Sequence, residues 1–127
     1  MGYMSNFLFL NKRWPVLAKL GVQAESYFHV DSNATMLKMR MFGEKIIDYI
    51  LAMYKADAGK LATQNDKIRL LRTTNINKAV PDLFDIVRRF GNRASHAGYE
   101  NKRDALECLV SMYKISAWFY IRVTKDM

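Results

Sequence analysis

Between Ala34 and Lys55 the chain runs for 22 residues with one glycine and no proline. Apolar residues fall there on two stripes, Met36-Met39-Gly43-Ile46-Ile50-Met53 and Leu37-Met41-Ile47-Leu51-Tyr54. The first repeats at steps of three and four, the spacing of one face of an α-helix. Apolar groups over so much of the circumference predict a central helix, touched from more than one side. Asp31-Ser32-Asn33, just ahead of it, are residue types that cap helix starts. Whatever else the chain forms has to be built around this rod.

The rest of the sequence is equally short of punctuation. Two prolines and six glycines in 127 residues leave few turns, which favours long helices over many short strands. Phe7 to Leu10 is a short apolar segment, and Asn11-Lys12-Arg13 turns the chain. Trp14-Pro15 then opens a first helix, with Leu17, Leu20, Ala24, Tyr27 and Phe28 on one face to about Val30. Gly21 within it permits close contact with a neighbour. Residues 56–65 read as a loop, and Ile68, Leu70 and Leu71 predict a short third helix ending near Thr73. After a second loop, Pro81 opens a fourth helix with Leu83, Phe84, Ile86, Val87 and Phe90 on its face. Gly91 and Asn92 predict its end, because these types most readily take the left-handed conformation of a helix terminus. A turn over His96-Ala97-Gly98-Tyr99 leads to Asn101, which caps a last long helix reaching about Thr124. No repeat and no convincing strand alternation is present. The expectation is an all-α, single-domain bundle of four to five helices spanning residues 1–127, with an ordered core over about 7–124.

Composition narrows the chemistry. Half the residues are apolar and a quarter charged, as in folded globular proteins. The formal net charge of +8 is uneven: residues 1–59 carry seven Lys/Arg against five Asp/Glu, residues 60–127 thirteen against seven. A basic excess in the second half suits an anionic partner, nucleic acid being the commonest, although many small helical domains are basic for solubility alone. Cys108 is the single cysteine and lies among Leu106, Leu109 and Val110, so it reads as a buried small hydrophobe. Met1 to Leu10 lacks the basic start and long apolar run of a signal peptide, and no apolar stretch is long enough to span a bilayer. A soluble, cytoplasmic chain with no membrane role is expected. Phosphate-loop and dinucleotide-binding glycine patterns are absent, and His29 and His96 lack companions for a metal, so no metal or cofactor is expected.

What remains is Arg88-Arg89-Phe90-Gly91-Asn92-Arg93-Ala94-Ser95-His96. Guanidinium, carboxamide and imidazole groups gathered at a helix break can hold a phosphate. An arginine covering a helix end, a capping asparagine and a half-buried histidine account for the same residues without any ligand. Elsewhere, Arg40 and Glu44 lie one helical turn apart and can pair between the apolar stripes, with Glu25 of the first helix as a further partner for Arg40.

Several fragments in order resemble a known family. They are Leu17-x-x-Leu20-Gly21-x-x-Ala24-Glu25, Asp31-Ser32-Asn33-Ala34 and Arg40-x-x-Gly43-Glu44. Gly91-Asn92-x-Ala94-x-His96 follows, and then Ala105-Leu106 leading to Ala117-Trp118-Phe119-Tyr120. An all-helical domain with Arg89, six residues and His96 ahead of its last long helix is similar to the HEPN superfamily. More closely it resembles domain of unknown function 4145, found alone and at the N-terminus of R subunits of type I restriction enzymes and related helicases. The resemblance covers about Phe7 to Arg122, and it leaves open whether these 127 residues stand alone or form part of a longer restriction or helicase protein.

In ribonucleolytic HEPN proteins the resemblance implies metal-independent RNA cleavage at a two-fold dimer interface. His96 would handle protons at the ribose hydroxyl or leaving oxygen, Arg89 or Arg93 would stabilise the phosphorane, and Asn92 would orient phosphate or imidazole. The motif departs from that pattern: Phe90 follows Arg89 where catalytic members place a polar residue, and Asn92 comes three positions late. The favoured expectation is therefore a non-catalytic module of a prokaryotic type I restriction or related defence protein. Arg88, Arg89, Asn92, Arg93, Lys102 and Arg103 would contact nucleic acid, or the module would dock onto other domains or subunits of a restriction complex. In this reading Asn92 and His96 tie the turn to the core through a polar network of Glu25, Arg40 and Glu44. The alternative is a dimeric endoribonuclease using Arg89 and His96.

Overall fold

Five α-helices follow a short 3-10 turn at Leu8–Leu10 in the computed structural model, which describes residues 4–96 and 98–125. They are α1 Pro15–Tyr27, α2 Ser32–Met53, α3 Gln64–Arg72, α4 Ala79–Ala94 and α5 Lys102–Thr124, and no strand occurs among the described residues. The architecture is the expected all-α bundle in a single domain. Helix α2 is its axis, packing against α1, α3, α4 and α5. Met36, Met39, Phe42, Ile46, Ile47 and Ile50 of α2 are fully buried, as apolar residues over most of a helix circumference require.

Local sequence chemistry sets most helix starts. The Asp31 carboxylate accepts the Ala34 amide at 3.0 Å, and the Asn101 side chain accepts the Asp104 amide at 2.9 Å. Thr63 and Asp66 form a reciprocal capping box at α3: the Asp66 amide donates to Thr63 Oγ1 at 3.1 Å and the Thr63 amide to Asp66 Oδ2 at 3.0 Å. The Thr63 backbone and side-chain hydrogen bonds hold the Asp66 carboxyl below its ordinary range. This capping contribution is present at neutral pH and is lost as acid protonates Asp66. Residues 64 and 65, read as loop, are thus helical; the Thr-x-x-Asp spacing carried that signal.

The larger correction concerns α4. It opens at Ala79, with Pro81 inside its first turn, and continues through Gly91 and Asn92 to Ala94 instead of stopping at Gly91. Gly91 keeps a helical backbone, and its missing side chain serves packing. A Cβ there would lie 2.7 Å from Arg40 Cβ and 3.1 Å from Arg40 Cγ and Cδ, so the aliphatic stem of Arg40 occupies that space. Gly21 plays the same part for the amino-terminal segment, where a Cβ would fall 2.3 Å from Cγ of the buried Phe7.

That segment is fixed by aromatic contacts and by Glu25. Phe7 meets Phe42 and Tyr113 edge-on at 5.3 and 6.2 Å, and Trp14 lies 4.9 Å from Phe119. The Glu25 carboxylate accepts from the Ser5 hydroxyl, the Asn6 amide at 2.9 Å and Asn6 Nδ2 at 2.8 Å. Its expected bridge to Arg40 is therefore replaced by a clasp on residues 5 and 6.

Gly21→Ala is expected to destabilise by about 1–2 kcal/mol, because overpacking against Phe7 outweighs the gain in helix propensity. At Gly43 the nearest atom to a new Cβ would be 3.6 Å away, so Gly43→Ala should be neutral or stabilise by up to about 1 kcal/mol. Urea denaturation of both variants gives the two signs, and matching shifts would remove the packing explanation.

Candidate functional site

Because α4 is continuous, the basic stretch is dealt out by helical geometry onto two flanks. Its core stripe is Phe84, Val87, Gly91 and Ala94. One step round, Arg88 and Asn92 face the α2–α3 side and line a cleft of about 480 Å³ with Arg40, Glu44, Thr63, Gln64 and Lys67. On the other flank Arg89 and Arg93 stand with Ile86 and Phe90, opposite Glu107 of α5, around a shallower hollow of about 170 Å³. Residues adjacent in sequence therefore serve separate surfaces.

In the cleft, Arg40 Nε pairs with Glu44 Oε2 at 3.5 Å, and both side chains are more than a third exposed. Arg88 donates from Nε and Nη2 to Asp85 Oδ1 at 3.1 and 2.8 Å, and Lys67 Nζ lies 2.7 Å from Asp48 Oδ1. Phe84 and Val87 add an apolar floor. Arg40 and Glu44 thus pair as expected, but as a half-exposed couple, with Glu25 engaged elsewhere.

On the opposite flank Arg89, 62% exposed, pairs with Asp85 Oδ2 at 3.2 Å. The Arg93 guanidinium lies 5.6 Å from the Phe90 ring, 5.4 Å from the Tyr99 ring and 3.9 Å from Asp104 Oδ2. His96 follows the helix end, exposed to solvent, its amide donating to the Arg93 carbonyl at 3.1 Å. Lys102 and Arg103 are exposed in the first turn of α5, and Lys102 Nζ sits 5.7 Å over the Phe28 ring. Arg93, His96, Lys102 and Arg103 therefore flank the α4–α5 connection, where the break-and-turn reading had placed a single pocket, and Arg89 stands more than a turn back on α4. Ala97 of the predicted turn lies outside the described residues.

The connection is held differently from expectation. Asn33 Nδ2 donates to the carbonyls of Ala94 at 2.7 Å and Tyr99 at 2.8 Å, and the Asn101 amide donates to Ser32 Oγ at 2.9 Å. Tyr99 also donates its hydroxyl to Asp104 Oδ2 at 2.6 Å. The first turn of α2, not Asn92 or His96, ties the turn to the bundle. Asn33 and Ser32 were legible only as capping types; nothing local reports a partner more than sixty residues away.

Other chemistries find little support. Cys108 is buried, and burial, with Asp104 and Glu107 adding, pushes its thiol up to about 12, so it is no nucleophile at neutral pH. Among the described residues no group of three His, Cys, Asp or Glu converges as a metal site. No helix of the described residues is long and apolar enough to cross a membrane.

The sequence family described as Domain of unknown function (DUF4145) matches residues 22–126, and the chain belongs to it. It is also 31% identical over 123 residues to the type I restriction enzyme EcoKI endonuclease subunit of Escherichia coli (strain K12). That match takes in 96% of this chain, which spans about a tenth (10%) of the length of the curated relative. No solved structure matches.

Asn33→Ala should lower stability by about 1–3 kcal/mol, since it strands two carbonyls. Hydrogen exchange should speed up selectively at residues 98–101 while α1 stays protected. Uniform acceleration would mean that Asn33 does not act on the connection.

Proposed function

We propose that this chain is a non-catalytic nucleic-acid-binding module of a prokaryotic type I restriction or related defence protein. The observation that carries this reading is the set of exposed cations on α4 and the first turn of α5: Arg89 and Arg93 on one flank of α4, Lys102 and Arg103 at the start of α5. Arg89 and Arg93 reach solvent from successive turns of one rigid helix, about 6 Å apart along its axis. Asp85 and Asp104 hold the guanidinium groups in place without covering them. The restriction context rests on likeness to the Escherichia coli subunit. In such a complex the same end of the bundle would also meet neighbouring domains or subunits.

A HEPN-type endoribonuclease acting as a dimer is the second reading, favoured by the solvent exposure of both Arg89 and His96. Against it, Arg89 is held by Asp85 on the body of α4, while His96 follows the helix end.

Fluorescence anisotropy with labelled single- and double-stranded oligonucleotides tests the first reading. Binding should weaken as salt rises, and the combined variant R89A/R103A should lower the slope of log K against log salt by about two. An unchanged slope would remove this face from the interface. Incubation of single-stranded RNA with the protein in EDTA should leave it intact; cleavage lost in His96→Ala would favour the enzyme instead.

A further inference from the structure

The cleft between α2, the start of α3 and α4 faces away from the basic end just described. Its lining carries three cations, Arg40, Lys67 and Arg88, against one carboxylate, Glu44. The cationic partners sit further in than their anions: Lys67 is 22% exposed against 59% for Asp48, and Arg40 35% against 45% for Glu44. These pairs leave donors over. Among the described residues Arg40 spends only Nε, on a long 3.5 Å contact, so both terminal nitrogens remain. Arg88 gives Nε and Nη2 to Asp85 and keeps Nη1. The Asn92 carboxamide has no protein partner among the described residues.

Backbone packing fixes where those donors are. The Arg40 stem crosses α4 at Gly91, next to Asn92 and one turn beyond Arg88, so two arginines and an amide line the same cleft. Forked guanidinium donors from two helices suit a tetrahedral oxyanion. At about 480 Å³ the cleft is larger than a bare anion needs and leaves room for a bulkier body. Gln64, also in the lining, keeps a buried amide oxygen with no donor among the described residues.

We propose that this cleft binds a phosphomonoester. The phosphate lies against Arg40, Arg88 and Asn92, and the organic body it carries fills the remainder of the cleft toward Thr63 and Gln64. The source is either a free phosphorylated small molecule or the 5′-phosphate end of a nucleic-acid strand; both present the same dianion. The proposal is independent of the basic face, because it uses none of Arg89, Arg93, Lys102 or Arg103.

Isothermal titration of the intact chain with a ribonucleoside 5′-monophosphate, the matching nucleoside and inorganic phosphate tests it. The monophosphate should bind saturably, be displaced by inorganic phosphate, and outbind the nucleoside by about tenfold or more. Arg88→Gln and Asn92→Ala should each weaken it by about tenfold, and Lys19→Gln, a remote loss of charge on α1, should leave it unchanged. Asn92 is exposed, so its variant should retain the fold even if Arg88→Gln does not. Short oligonucleotides with 5′-phosphate or 5′-hydroxyl ends separate the two sources. A phosphate-dependent gain over the mononucleotide, abolished by Asn92→Ala, assigns the strand end, and equal affinity assigns the free molecule. No saturable binding of any phosphate, or binding indifferent to Arg88→Gln and Asn92→Ala, overturns the proposal.

Discussion

The aliphatic stem of Arg40 lies where Gly91 has no side chain, and this contact sets the arrangement of the bundle's polar side. Helices can approach closely only where one of them presents little bulk, and glycine presents least. A long side chain can bury its stem there while its charged head reaches water. Arg40 does this, emerging beside Arg88 and Asn92 at the rim of the cleft. The one contact therefore packs α2 on α4 and positions a charge from each.

The two flanks of α4 differ in how their charges are held. On the α2–α3 side, Arg40 and Lys67 are less exposed than the carboxylates they pair with, Glu44 and Asp48. On the α5 side, Arg93 stacks on Phe90 and Tyr99, and Arg89 stands out from the surface. Stacking and a neighbouring carboxylate reduce the rotamer freedom that a guanidinium would otherwise lose on meeting a phosphate. A single helix thus carries a recess lined by cations on one flank and exposed, held guanidinium groups on the other. Asp85 links them, accepting from Arg88 with one oxygen and ion-pairing with Arg89 through the other.

Sequence similarity places the chain beside a restriction endonuclease subunit of which it spans about a tenth (10%). The bundle nevertheless carries its own core, from Phe7 through Ile46 and Phe84 to Phe119. Polar clasps reinforce it at both ends. Glu25 secures residues 5 and 6, and Thr35 donates its hydroxyl to the Ala24 carbonyl at 2.8 Å, joining α1 to α2. Asn33 then secures the α4–α5 connection from the other side of the same helix start.

By itself the sequence determined the helices and their caps: the double stripe of α2, the Asp31 and Asn101 starts, and the burial of Cys108 all follow from periodicity and local hydrogen bonding. Those signals act within a few residues, so they are written in the chain. Gly91 was misread as a helix end because a glycine's conformational freedom is a local property, whereas its use here as a slot depends on Arg40, fifty-one positions earlier. Glu25, Asn33 and Lys67 likewise took partners that no spacing announces. Only tertiary packing decided which cations share a surface, because a side chain's company is set by the crossing of helices and not by neighbours along the chain.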